Sequence, residues 1–178
     1  MTQSQKLHPG ARFPDITLPR LGGGTLTLAQ PENGHDWRMI VIYRGKHCPI
    51  CTRYLRELND AVSDLNQLGV DLVAVSADPV EKVEEQMAQV QPAYAVGHDL
   101  TPDQMQTLGL YVSDPRSPQE TDRPFAEPAI FVVNAEGNLQ IVDIANAPFL
   151  RPDLKLLIGG IRFIRDPENN YPIRGTHL

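Results

Sequence analysis

Both cysteines of the chain lie in one short segment, Arg44-Gly45-Lys46-His47-Cys48-Pro49-Ile50-Cys51. Proline is favoured at the first position of a helix, so Pro49 predicts a helix start with Cys48 at the N-cap and Cys51 at the third helical position. The two sulfurs then share a face. An N-cap sulfur meets unpaired backbone N–H groups and the positive end of the helix dipole, and both favour thiolate over thiol. Arg44, Lys46, Arg53 and Arg56 add four cations, with no acidic residue from 44 to 56, in a chain of net charge −6. An electropositive thiol site follows, with His47 beside it as a candidate acid or base. The spacing predicts a reversible intramolecular disulfide, in which Cys48 is the more exposed and more acidic nucleophile and Cys51, turned toward the sheet, resolves it.

Competing chemistries lack their residues. A structural zinc site takes four ligands, and beyond this one pair there is no second Cys pair or spaced His pair, since His8, His35, His98 and His177 are scattered. Neither a metal nor a cofactor is expected.

Elements on either side must hold this motif in place. Met39-Ile40-Val41-Ile42-Tyr43 is a continuous apolar, β-branched run that suits a strand buried on both faces at the centre of a sheet. After Pro49, Leu55, Leu58, Val62 and Leu65 recur at helical spacing until Gly69, and Val70 to Val75 reads as a second buried strand. A strand, helix and strand in succession form a βαβ unit with parallel strands, so the core is α/β. Asp78-Pro79-Val80-Glu81 predicts a helix capped by Asp78, and Thr101-Pro102-Asp103-Gln104 predicts a shorter one. Residues 129–133 and 139–142 flank Asn134-Ala135-Glu136-Gly137-Asn138 as an antiparallel hairpin. Pro152 is read as the start of a last helix, whose interior Gly159-Gly160 costs roughly 1 kcal/mol apiece and so implies a close packing contact. Upstream, Asp15-Ile16-Thr17-Leu18 and Thr25-Leu26-Thr27-Leu28 pair as a hairpin around three glycines. The resulting division is an N-terminal extension over 1–38, a redox domain over 39–166 and a tail over 167–178.

Composition closes off other classes. At 178 residues with 41% hydrophobic content the chain can bury a sizeable core without staples. Its acidic balance repels phosphate backbones, so nucleic acid is not an expected partner. The strongest apolar runs, five residues each, are far short of the ~20 that a membrane span requires. The first residues carry no apolar signal segment, which points to the reducing cytoplasm, where cysteines are more often chemical than structural.

Three stretches stand out together: Pro9-Gly10-Ala11-Arg12-Phe13-Pro14-Asp15, Val41-Ile42-Tyr43-Arg44 running into the cysteine motif, and Pro128-Ala129-Ile130-Phe131-Val132-Val133. With them the chain resembles the alkyl hydroperoxide reductase and thiol-specific antioxidant (peroxiredoxin-like) family of the thioredoxin fold. Cys48-Pro49-Ile50-Cys51 followed by Tyr54-Leu55-Arg56-Glu57-Leu58 is most similar to the branch carrying Cys-X-X-Cys. The resemblance implies a thioredoxin-like three-layer sandwich, a central mixed sheet with helices on both faces and the hairpin as an N-terminal extension. It also implies that Pro128 is the redoxin proline, cis and facing the cysteines.

The chain departs from the ordinary peroxiredoxin motif, Pro-X-X-X-Thr/Ser-X-X-Cys. Aligned on Cys51, that motif places Arg44 at the proline and Cys48 at the hydroxyl, while the family's arginine falls near Pro128, leaving Arg44 or Arg123 to substitute. By resemblance the function is thiol-dependent peroxide reduction through a Cys48/Cys51 disulfide cycle. The substrate is a peroxide or a disulfide, and the reductant a thiol such as thioredoxin or glutathione. Protein disulfide exchange of the thioredoxin kind and a non-enzymatic redox-sensing module are the alternatives. Association into a homodimer is left open.

Overall fold

In the computed structural model, which describes residues 5–177, the run centred on Ile40 becomes β3 (Trp37–Ile42), the middle strand of a five-stranded sheet ordered β5-β4-β3-β8-β9. Strands β4 (Val70–Val75) and β5 (Ala95–Gly97) run parallel to it, while β8 (Ala129–Val133) pairs antiparallel with β3, and β9 (Leu139–Ile144) with β8. The sheet is therefore mixed. Helix α1 (Pro49–Gln67) joins β3 to β4 and ends against Gly69, whose positive φ suits glycine.

Side chains alternate along these strands, and each face collects its own core. Met39, Val41, Leu72, Ala74, Ile130 and Val132 pack under α1, α2 (Val80–Val90) and α4 (Leu154–Arg165). Ile40, Ile42, Val73, Val75, Phe131 and Val133 face the other way, toward α3 (Pro102–Thr107) and the hairpin of β1 (Thr17–Pro19) and β2 (Thr25–Thr27). This is the expected α/β sandwich with helices on both faces. Arg38, pointing from β3 into the second layer, is fully buried and ion-paired with Asp71 of β4.

Besides Pro49, three prolines mark helix starts in the sequence, and the structure treats them differently. Thr101 caps α3 with a full capping box, as expected. Helix α2 begins at Val80 with Pro79 at the cap, because the Asp78 carboxylate is engaged elsewhere. Helix α4 begins two residues after Pro152, where the Asp153 carboxylate accepts the Leu156 N–H at 2.8 Å. Among the described residues, the packing contact expected of Gly159 and Gly160 is absent, since a Cβ on either would meet nothing within 4 Å.

Short elements without a sequence pattern complete the chain. Strands β6 (Val112–Ser113) and β7 (Phe125–Ala126) form a two-stranded ribbon that closes the loop between them, and the tail after α4 returns to Pro9 and Gly10. Among the described residues, no helix is long and apolar enough to cross a membrane.

Candidate active site

Helix α1 starts where Pro49 predicts. Cys48 is its N-cap, with an extended backbone, and its sulfur accepts the Cys51 N–H at 3.2 Å. The two cysteines are joined as a disulfide with Cα atoms 5.2 Å apart. Cys48 is 2% and Cys51 0% exposed, so the disulfide is buried beneath the first turn, with only a sliver of Cys48 reaching the surface.

The loop ahead of the helix is fixed by groups from α2 and its approach. The Lys46 N–H donates to the buried Asp78 carboxylate at 2.7 Å, and Gln86 of α2 donates to the Gly45 carbonyl and the Thr52 hydroxyl. Gly45, at φ +136°, is required twice over: an L-residue is strained there, and a Cβ would fall 2.6 Å from an Asp78 oxygen.

The cationic cluster read from the sequence is largely neutralised. Arg44 lies over the Phe125 ring and pairs with Glu127 at 3.2 Å, with Glu120 of the β6–β7 loop 3.9 Å away. Lys46 pairs with Glu85, Arg53 with Glu57, and Arg56 donates to the Gln89 carbonyl. His47 packs against Phe125 with ring centroids 4.5 Å apart and planes tilted by 60°, and neither ring nitrogen has a hydrogen-bond partner among the described residues. Burial first, and the Arg44 charge second, lower its pKa, so the imidazole is neutral at pH 7.

The cis bond expected at Pro128 does not occur, as every described peptide bond is trans. The residues around it hold the chain extended: Glu127 donates its N–H to the Tyr111 carbonyl, the Pro128 carbonyl accepts from Ala145, and β8 follows at once. A trans X–Pro bond, the intrinsically favoured isomer, fits that path. The arginines put forward as substitutes are both committed elsewhere, Arg44 to Glu127 and Arg123 to Asp122 and Asp99.

The guanidinium that reaches the disulfide is Arg151, which sequence reasoning missed. Its Nη2 donates to Cys51 Sγ at 3.3 Å, its plane covers the Tyr54 ring, and the Tyr54 hydroxyl donates to the Pro152 carbonyl. Nothing local marked it: Arg151 sits 100 positions from Cys51, in the loop between β9 and α4. Arg151, Tyr54 and Ile50 also line an open groove of about 800 Å³ between α1 and α4. Among the described residues, no cluster of three or more His, Cys, Asp or Glu could hold a metal ion.

The sequence profile of the AhpC/TSA family matches residues 9–142, three quarters of the chain and all of the cysteine motif. The chain belongs to the AhpC/TSA family. A Mycobacterium tuberculosis protein that carries a peroxiredoxin name is 30% identical over 87 residues, 47% of this AhpC/TSA chain and 52% of its own length, so the chain spans about half of the curated relatives it matches. In fold, the chain is similar to a cysteine-to-serine mutant of peroxiredoxin 6 from Arenicola marina, with TM-score 0.76, 19% identity, and coverage of 91% of this chain and 75% of that one. It is also similar to the Mycobacterium tuberculosis peroxidoxin BcpB, with TM-score 0.73, 16% identity, and coverage of 90% and 99%. A thioredoxin-like AhpC/TSA fold thus carries a cysteine pair at disulfide distance on the first turn of α1.

Proposed function

We propose that the chain is a peroxiredoxin-like thiol peroxidase in which Cys48 and Cys51 cycle between dithiol and disulfide. The observation that carries this reading is the Cys48–Cys51 disulfide, seated at a helix N-terminus in a chain of the AhpC/TSA family.

In the reduced protein the Cys48 thiolate is held by the Cys51 N–H and by the helix dipole. It attacks the terminal oxygen of the hydroperoxide. The S–O bond forms, the O–O bond breaks, and the departing alkoxide takes a proton to leave as alcohol, or as water when the substrate is hydrogen peroxide. Cys48 is then a sulfenic acid. Cys51 attacks its sulfur, the S–S bond forms, and hydroxide leaves with a proton as water. Two equivalents of an external thiol, of the thioredoxin or glutathione kind, restore the dithiol. A cytoplasm, with its thiol pool, is the compartment this cycle suits.

His47, its pKa lowered and its ring nitrogens without a hydrogen-bond partner among the described residues, is able to take or give a proton when the site fills, while Arg44 holds the chain after the β6–β7 ribbon through Glu127. Pro49 sets the cap geometry, and Pro128 shapes the entry to β8. Peroxide consumption coupled to a thioredoxin or glutathione recycling system tests the reading. Turnover that Cys48→Ser abolishes supports it, and no turnover with either system and with both hydrogen peroxide and an organic hydroperoxide overturns it.

A further inference from the structure

The cations around the disulfide are not equivalent. Arg44, Lys46, Arg53, Lys82 and Arg123 each have a carboxylate within ion-pair distance, and Arg56 donates to the Gln89 carbonyl at the protein surface. Arg151 has none among the described residues, and its Nε and Nη1 are buried without hydrogen-bond partners. Its neighbours in the oxidised protein are a π face and a neutral disulfide sulfur. Burial lowers the Arg151 pKa to about 10, with Tyr54, Asp143 and Glu127 pulling in the opposite direction. A cation taken out of water and left without a counter-charge is costly, and that cost falls when an anion appears beside it. Breaking the disulfide places one there.

We propose that Arg151 makes Cys51 the good leaving and resolving thiolate of the pair, and thereby sets how readily the Cys48–Cys51 disulfide is reduced. The inference rests on the disulfide cycle above, and it concerns a step that needs no peroxide. An external thiolate attacks Cys48, the cysteine of the pair with residual exposure. The new S–S bond forms, the Cys48–Cys51 bond breaks, and its electron pair leaves on Cys51 Sγ against the guanidinium. A second external thiolate attacks the external sulfur of the mixed disulfide. It departs as the oxidised reductant, and Cys48 regains its thiolate or takes a proton from water. Thiols of lower pKa leave faster, and stabilising the product thiolate also moves the equilibrium toward the dithiol.

The other charged groups do not displace Arg151 from this role. Asp143 of β9 is pushed by burial toward its neutral form, Glu127 is taken by Arg44, Glu57 pairs with Arg53, and the Asp153 carboxylate caps α4. Among the described residues, the guanidinium is the one charged group in contact with the Cys51 sulfur.

Two readings test the proposal, with folding checked by circular dichroism. In Cys48→Ser, which isolates one thiol, the pH dependence of Cys51 alkylation gives its pKa; adding Arg151→Met raises it by about one unit or more. In the chain with both cysteines, equilibration with glutathione buffers at pH 7 shows Arg151→Met about tenfold more oxidised, equivalent to about 30 mV for a two-electron couple. Arg151→Lys, which keeps the charge without the planar fork, recovers part of both shifts. Should Arg151→Met fail to fold, Arg151→Gln, which removes the charge and keeps N–H donors, carries the same readings. An unchanged Cys51 pKa, a glutathione equilibrium within twofold of wild type, or no recovery in Arg151→Lys overturns the proposal. Because neither reading uses peroxide, a chain that lacks peroxidase activity yet shows both shifts sinks the functional reading and leaves this inference standing.

Discussion

The carboxylate of Asp78 accepts the backbone N–H of Lys46 at 2.7 Å, tying the end of β4 to the loop that delivers Cys48 to its cap. The same carboxylate lies where a side chain on Gly45 would go. One buried acid thus replaces a helix cap for α2 with an anchor for the redox loop, and the disulfide inherits its position from that exchange.

Asp78→Ala removes the charged acceptor of the part-buried Lys46 N–H and lowers stability by about 1–3 kcal/mol. Gly45→Ala adds strain and a clash, for a loss of about 2 kcal/mol or more. Because the clash is with Asp78 itself, the double variant loses less than the two single losses together. Urea unfolding of the four proteins measures this, and strict additivity contradicts it.

Gly159→Ala and Gly160→Ala each stabilise the protein by about 0.5–1 kcal/mol, since both positions are helical and a Cβ meets nothing within 4 Å. The expected readout is a higher urea midpoint at unchanged slope. Loss of stability in either variant would show that the α4 face is covered in solution.

His47 gives a pH dependence of defined sign. Its folded pKa is lowered below the ordinary 6.5, so the unfolded chain binds this proton more readily than the native one. The contribution is fully present above about pH 6.5 and is lost as pH falls through the folded value. His47→Gln removes that contribution, so the difference between wild-type and variant stability changes across this window in the direction of a flatter variant. Parallel curves from pH 7.5 to 5 contradict the burial of a neutral imidazole.

What the sequence made legible was local. The apolar run at 39–43, the helical spacing from Leu55 to Leu65 and the Pro49 cap each depend on neighbours a few residues away, and the sheet centre, α1 and the disulfide all follow from them. Asp78 and Asp153 show where this stops. Both precede helical residues, yet one caps and the other anchors a loop, a choice made by Lys46 across the site. Long-range partners were out of reach: the carboxylates that pair with Arg44 and Lys46 come from the β7 end and from α2, and Arg151 arrives from beyond β9. The trans bond at Pro128, where the resemblance implies a cis one, fits the extended path into β8.

The central claim is that Cys48 takes the oxygen and Cys51 closes the disulfide. Single-turnover mixing of the reduced protein with one equivalent of peroxide, followed by intact mass and dimedone trapping, tests it most directly. The account predicts loss of two hydrogens in the wild type, a trapped sulfenic acid on Cys48 in Cys51→Ser, and no rapid oxidation in Cys48→Ser. Rapid formation of a sulfenic acid on Cys51 in Cys48→Ser, with Cys51→Ser unreactive, would contradict it and reverse the two roles.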